Sequence, residues 1–184
     1  MTVDEYGSMT SALRVFLDAV SVAGRGADFS ALAADLHCWA DRLTAHRVDE
    51  PHRAFGGRFD LPGRGQTMTP LFDPGTVTPV RVEGTAYFGD YFLGSNNAAH
   101  GGAVPLLFDE VLGRIVVERG PRARTAYLRT DFRAITPIGR DLTVRGWVDE
   151  VCGRKLFLRA ELRDGEVLCA EADALFVVLR QDAP

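Results

Sequence analysis

The stretch that decides the fold is HGGAVPLLFDEVLGRIVVE, residues 100–118. Its apolar residues occur on nearly every side of a helix drawn from Gly101 to Glu118, a distribution typical of a helix buried in a protein interior. Such a helix of about 18 residues is ~27 Å long. We therefore expect the rest of the domain to wrap around it.

Strand patterns surround this helix. Four segments of period-two alternation follow it, and two more strands, 76–83 and 85–93, precede it on either side of Gly84. The alternating faces after the helix are Ala126, Leu128, Thr130, Phe132 and Ala134; Leu142, Val144, Gly146 and Val148; Leu156, Leu158, Ala160 and Leu162; and Leu168, Ala170, Ala172, Ala174, Phe176 and Val178. Alternation of this kind predicts an antiparallel sheet with one face on a core. The fold class is α+β, a curved antiparallel sheet around one long central helix.

The chain changes character near residue 75. Residues 1–75 are predicted to be an N-terminal helical and loop extension, and residues 76–184 the sheet-and-helix domain. Asp28 is placed to cap a helix in the extension, and the apolar residues that follow recur at spacings of three and four. They are Phe29, Leu32, Leu36, Trp39 and Leu43. Another surface must cover this stripe.

Composition excludes several classes of protein. Of 184 residues, 46% are hydrophobic and 25% charged, and the net charge of −4 argues against nucleic-acid binding through bulk electrostatics. No apolar run approaches the roughly 20 residues of a membrane span, and no basic segment precedes a secretion-like stretch. Three cysteines without a CxxC pair indicate reduced, packed thiols in a cytoplasmic protein.

Two further kinds of site are rejected. His37 and His46 have no Cys or carboxylate at metal-ligand spacing, so no zinc site is predicted. The chain also lacks a GxSxG nucleophile elbow, which excludes a serine hydrolase of that type. The chemistry must therefore come from other residues.

The start of the central helix is the first candidate. Gly101 and Gly102 leave the backbone amides of the first turn uncovered, where N–H groups lack intrahelical partners and the dipole is positive. An anion or a developing oxyanion would be stabilised there. A plain turn is the alternative interpretation of the glycine pair.

Asp109 is the second candidate, because it interrupts an apolar stripe where a carboxylate is costly to desolvate. Glu110 precedes Arg114 by four residues, which predicts an ordinary helix salt bridge. A structural carboxylate is the alternative interpretation of Asp109.

Gly102 and Asp109 lie ~10 Å apart along the helix, whereas reacting atoms approach within ~3–3.5 Å. If both act in one site, antiparallel helices of two subunits must meet, and the hypothesis requires a homodimer.

These residues resemble a known family. The His-Gly-Gly turn at 100–102, the Leu-Leu-Phe-Asp-Glu run at 106–110 and Gly113 are similar to the hot-dog-fold acyl-CoA thioesterases of the phenylacetate-pathway (PaaI-like) group. A later strand at 125–132, Thr-Ala-Tyr-Leu-Arg-Thr-Asp-Phe, also matches. The resemblance covers about residues 76–180 and leaves the extension unexplained.

The resemblance implies roles for single residues. Asp109 would activate water or attack as a nucleophile, the Gly102 amide would polarise the thioester carbonyl, and His100 would shape the turn. Thr125 matches a hydroxyl that holds the water or the aspartate. Simple alternation places Thr125 opposite Leu128, so a bulge or a strand start must turn it toward the site.

Substrate-binding candidates surround this group. Asn96 or Asn97 corresponds to the asparagine that the family often has before the turn, although a loop turn is the favoured interpretation. Gly101 contributes its amide to the same anion site. The candidates for coenzyme A phosphates are Arg119, Arg122 and Arg124, and a solvated loop explains them equally well.

The leading hypothesis is a homodimer, or a tetramer of such dimers, that hydrolyses an acyl-CoA or acyl-carrier thioester without a separate cofactor. Three alternatives stay open. They are a hot-dog protein that binds acyl-CoA without hydrolysis, a hot-dog enoyl-CoA hydratase, and a subunit whose extension serves assembly. The extension would cover the outer sheet face or form a lid over the acyl tunnel, and the first interpretation is preferred.

Overall fold

The computed structural model describes residues 4–120 and 122–180. It divides the chain into two compact units between Gln66 and Thr67, earlier than the boundary predicted after residue 75. The first unit contains α1 (Glu5–Val22) and α2 (Phe29–Thr44). None of the helices in the described ranges is long and apolar enough to cross a membrane.

Helix α2 begins as the sequence predicts, since the Asp28 side chain accepts a hydrogen bond from the Ala31 amide at 3.0 Å. No residue of α2 is buried, and Trp39 and Leu43 are 54% and 65% exposed. The described part of the chain therefore does not bury the apolar stripe that we expected to be covered.

The second unit contains a six-stranded antiparallel sheet in the order β1-β2-β6-β7-β8-β5. Its strands are β1 (Leu71–Val77), β2 (Arg81–Tyr87), β5 (Ala123–Phe132), β6 (Asp141–Cys152), β7 (Lys155–Asp164) and β8 (Val167–Val178). A small hairpin pairs β3 (Leu93–Ser95) with β4 (Ala98–Ala99). Helix α3 (Ala103–Arg119) packs against all six strands of the large sheet. This is the hot-dog arrangement, so the predicted fold class is confirmed.

The inner faces of β6, β7 and β8 are those that the alternation predicts. Val144, Leu158 and Ala172 are buried and pack with α3 into a single core. The apolar face predicted for strand β5 is only partly buried, because β5 lies at the edge of the sheet. Phe132, assigned to its apolar face, is 54% exposed.

The first two strands also differ from prediction. Gly84 lies inside β2 rather than between two strands, and Pro74 and Gly75 lie inside β1. A Cβ at Gly84 would lie 2.3 Å from the Asp73 carbonyl oxygen, so the close approach of β1 and β2 requires glycine there. Proline is tolerated in β1 because that strand is the other edge of the sheet.

The cysteines follow the prediction only in part. All three are free thiols, but Cys38 and Cys152 are exposed and only Cys169 is buried. Burial raises the pKa of the Cys169 thiol, which keeps it protonated and unreactive. The expectation that all three are packed was wrong, because the alternation does not show which strand ends and helix faces stay uncovered.

A buried ion pair lies within the core. Arg114 Nε donates to Glu110 Oε1 at 3.1 Å, and the two side chains are 8% and 3% exposed. The predicted i,i+4 pair therefore forms, but inside the protein. Removing one partner of such a pair leaves an uncompensated charge in a low-dielectric environment.

Arg114→Met is expected to lower the free energy of unfolding by about 3–5 kcal/mol, since the Glu110 carboxylate stays buried without its guanidinium. The double variant Glu110→Leu/Arg114→Met should recover most of this loss. Urea unfolding followed by circular dichroism measures both. Glu118→Gln, at an exposed position of the same helix, is the control and should change stability by no more than about 0.5 kcal/mol. A single variant as stable as this control would contradict the expectation.

Candidate active site

Helix α3 is buried on most of its circumference and open along one stripe. Gly102, Leu106, Asp109, Gly113 and Val117 fall at the three- and four-residue spacings that share one helix face. Leu106 is 38% exposed and Val117 55%, and Asp109 is exposed between them. The expectation that Asp109 is desolvated among core residues is therefore wrong for a single protomer. Its stripe is apolar, but the sheet does not cover it.

Asp109 has one defined partner, on the neighbouring edge strand. The Thr125 hydroxyl donates a hydrogen bond to Asp109 Oδ1 at 2.8 Å. The pairing of β5 with β8 shifts register between Thr125 and Tyr127, which is the bulge that the alternation required. The structure therefore brings together two of the predicted catalytic residues through a local irregularity of β5.

The His-Gly-Gly turn is held in place by backbone hydrogen bonds. The His100 amide donates to the Phe92 carbonyl at 2.7 Å, and the His100 carbonyl accepts from the Ala103 amide at 2.8 Å. Gly102 is the N-cap of α3, with φ −72° and ψ −20°. These contacts fix the direction in which the helix starts.

The imidazole of His100 makes a hydrogen bond within the turn that the sequence analysis did not predict. Its Nδ1 accepts a hydrogen bond from the Gly102 amide at 3.0 Å. The predicted oxyanion donor is thus occupied by a side chain of the same turn. The two-residue spacing of His100 and Gly102 could have indicated this contact, because a side-chain acceptor two residues before a helix N-cap can reach the cap amide.

Asn96 and Asn97 form the turn of the β3–β4 hairpin. Both have left-handed backbone conformations, with φ of 52° and 57°. Asparagine tolerates this conformation better than most residues, which supports the loop-turn interpretation. The Asn97 carbonyl accepts from the Ile138 amide at 3.3 Å. Among the described residues, no hydrogen bond or ion pair joins Asn97 to Asp109 or Thr125.

The three arginines at and after the end of α3 have different surroundings. The Arg119 guanidinium donates to the Pro79 carbonyl at 2.9 Å, which ties the end of α3 to the β1–β2 turn. Arg122 and Arg124 are exposed. Neither of these two guanidinium groups has a hydrogen-bond or ion-pair partner within residues 4–120 and 122–180.

Sequence comparison supports the identification from the motifs. The thioesterase superfamily profile matches residues 96–170, which span α3 and the strands up to the start of β8. The chain is 33% identical over 93 residues to the acyl-coenzyme A thioesterase THEM4 of Bos taurus. This match covers 50% of this chain and 38% of the bovine protein. The chain thus spans about two fifths of the length of that curated relative.

Solved structures extend the similarity to the whole fold. A thioesterase superfamily protein of known crystal structure aligns with 95% of this chain and 91% of its own, at 26% identity and a TM-score of 0.80. A hypothetical thioesterase from Streptococcus pneumoniae, solved with coenzyme A, aligns with 61% of this chain and 91% of its own, at 17% identity and a TM-score of 0.56. Residues 96–170 of this chain are thus similar to the thioesterase superfamily, and the architecture of the second unit is the hot-dog fold.

Proposed function

We propose that this protein hydrolyses an acyl-CoA or acyl-carrier thioester, with Asp109 as the catalytic residue. The observation that carries the proposal is the Asp109–Thr125 hydrogen bond on an otherwise apolar, exposed helix stripe. The Thr125 hydroxyl occupies Asp109 Oδ1 and leaves Oδ2 to bind a water. A carboxylate oriented in this way is placed to act on the carbonyl of an apolar substrate that covers the stripe.

The reaction follows from these groups. Asp109 takes a proton from the bound water as the water oxygen attacks the thioester carbonyl carbon. The resulting oxyanion collapses, the C–S bond breaks, and the thiolate leaves and takes up a proton. Direct attack by Asp109 is the second route; it gives a mixed anhydride that water then hydrolyses. Coenzyme A is part of the substrate, and no separate cofactor enters either route.

Backbone amides at the start of α3 would stabilise the oxyanion. The His100 ring occupies the Gly102 amide in the free protein, so substrate must displace the ring, or the exposed Gly101 amide must serve instead. Displacement exchanges one hydrogen bond for another to a charged oxygen, and the second is the stronger of the two. His100 then acts as a positioning residue that keeps the amide oriented until substrate arrives.

The site is completed by a second copy of the chain. Gly102 and Asp109 are separated by ~10 Å along one helix, too far to act on one carbonyl. Two antiparallel α3 helices, each with its open stripe toward the other, would bring Asp109 of one copy to the glycine turn of its partner. The ten-residue edge strand β5 supports this arrangement, because the backbone groups of alternate residues on its free side are open to pairing beside the same stripe.

The comparisons support substrate and residue assignments. The bovine relative is named an acyl-coenzyme A thioesterase, and the Streptococcus pneumoniae protein was solved with coenzyme A. That bacterial protein was also solved as an Asp→Ala and a Thr→Ala variant at positions 16 residues apart. Asp109 and Thr125 have the same separation. In this proposal Arg122 and Arg124 bind the coenzyme A phosphates, and Asn97 and Gly101 contact the substrate.

Asp109→Asn should reduce kcat for acyl-CoA hydrolysis by roughly 10²–10⁴-fold, since the amide cannot accept the proton of water. The fold should be unchanged because the side chain is exposed. Thiol release measured with a thiol-reactive dye tests this, with Asp131→Asn as the control at another carboxylate of the second unit. Equal turnover in Asp109→Asn and wild type would remove Asp109 from the mechanism. If wild-type protein binds acyl-CoA but releases no thiol, the protein is a binding module.

Thr125→Ala should lower kcat by about 10- to 150-fold, the range expected for losing one hydrogen bond of about 1.5–3 kcal/mol to a charged group. Thr125→Ser keeps the hydroxyl and should stay within a few-fold of wild type. The comparison is made on kcat, with KM recorded separately. If serine fails as badly as alanine, then the methyl group of Thr125 rather than its hydroxyl holds the site.

Mixing two impaired variants tests whether the site is shared. Gly102→Pro removes the helix-start amide at a φ that proline adopts, and Asp109→Asn removes the base. In a mixed dimer, one site combines the intact Asp109 of one chain with the intact Gly102 of the other. Random re-association in equal amounts should therefore restore roughly a quarter of wild-type activity. A mixture no more active than its components would place both groups of each site in one chain.

A further inference from the structure

The first unit contains a cavity of its own, at the C-terminal end of α2. Its volume is about 480 Å³, which lies within the range of small-molecule sites. All of its lining residues precede Gln66, where the first unit ends. The candidate active site contributes none of them. The resemblance to thioesterases begins at about residue 76, so it does not explain this cavity.

The charged side chains that line the cavity are both basic. They are those of Arg47 and Arg53, and the imidazole of His46 lines it as well. Within residues 4–120 and 122–180, none of these three side chains has a hydrogen-bond or ion-pair partner. Asp49 and Glu50 occur between the two arginines in the sequence, but neither carboxylate lines the cavity. Two guanidinium groups are therefore available to an anion, in a chain whose net charge is −4.

The end of α2 does not need these side chains as caps. The Leu43 carbonyl accepts from the His46 amide at 3.0 Å, and the Thr44 carbonyl accepts from the Arg47 amide at 3.2 Å. Backbone amides thus satisfy carbonyl groups that a helix leaves without intrahelical partners at its C-terminus. The side chains of His46 and Arg47 remain available for other contacts.

The rest of the cavity is mainly apolar. Leu43, Val48 and Phe55 line it, and all three side chains are exposed. Leu43 is also the last member of the apolar stripe of α2, a helix without a buried residue. Removing such side chains from water is favourable. The cavity therefore matches a ligand that carries an anionic head on an apolar chain.

We propose that this cavity binds an amphipathic carboxylate. The carboxylate head lies between Arg47 and Arg53, since a guanidinium group binds a carboxylate through two parallel hydrogen bonds. The apolar chain lies against Leu43, Val48 and Phe55. Identification of this ligand with the free acid that thioester hydrolysis releases rests on the proposed function. On that basis the extension binds a product of the reaction with residues outside the candidate active site.

Isothermal titration calorimetry with decanoate tests the inference on wild type and on Arg47→Gln/Arg53→Gln. Wild type should bind decanoate saturably. The double variant should bind it about tenfold or more weakly, because hydrogen bonds to a charged group are lost. Phe55→Ser changes the apolar side of the cavity and should weaken binding several-fold. The Tm of each variant reports whether it is folded.

Three further ligands separate the contributions of head and chain. Acetate has the head without the chain, and decyltrimethylammonium has the same chain with a cationic head. Both should bind wild type at least about tenfold more weakly than decanoate, because each lacks one of the two interactions. Decyl phosphate replaces the carboxylate by a phosphate and should bind no more tightly than decanoate.

Arg25→Gln/Arg42→Gln is the matched control. It removes the same number of positive charges from exposed positions of the first unit, and neither residue lines the cavity. Its affinity for decanoate should equal that of wild type.

Equal affinity of the two double variants for decanoate overturns the inference, because the ligand then binds elsewhere. Absence of saturable binding, undiminished binding to Phe55→Ser, or equally tight binding of acetate or decyltrimethylammonium overturns it too. Tighter binding of decyl phosphate overturns the assignment of a carboxylate. Each of these results leaves the proposed hydrolysis intact. If decanoate binds through the two arginines but wild type releases no thiol from acyl-CoA, the proposed function fails and the carboxylate site stands.

Discussion

Enclosure of α3 by the sheet is the constraint on which the rest of the structure depends. The helix is apolar on nearly all sides, so the chain reaches a low free energy only when the strands surround it. Six strands cover most of its circumference and leave one stripe open. The uncovered stripe carries Asp109, and the strand at its border carries Thr125. The packing requirement of the core thus also determines where reactive groups meet solvent.

Much of this architecture could be predicted from periodicity. A helix without a polar side must be interior, and period-two alternation in β6, β7 and β8 identifies which side chains face it. Period-two alternation mispredicts strand boundaries where backbone geometry, rather than burial of a side chain, determines the residue type. Gly84 appeared to separate two strands, yet it lies within one, where the Asp73 carbonyl of the neighbouring strand leaves no room for a side chain. Alternation also cannot show that β5 is an edge, because strand order is a property of the assembled sheet.

The sequence predicted which residues form the candidate site better than it predicted the contacts between them. Asp109 stood out as a charge among apolar residues, and the conflict between alternation and the expected position of Thr125 required a bulge or a strand start, of which the structure shows the bulge. Two physical details were beyond the sequence. Adjacent carboxylates at 109 and 110 face opposite environments, and a rotation of about 100° per residue decides which is buried only when the placement of the sheet is known. The hydrogen bond from Gly102 to the His100 ring depends on a side-chain rotamer.

The position of β5 has a consequence for the life of the chain before assembly. A lone protomer presents the unpaired peptide groups of a ten-residue strand at a sheet edge. Such an edge is a template for any extended polypeptide, although the bulge at Thr125 and the charges of Arg129 and Asp131 interrupt this one. If two copies associate as proposed, the interval between synthesis and association is therefore the time of greatest aggregation risk. Slow synthesis of scarce copies would prolong that exposure, and abundant synthesis would shorten it.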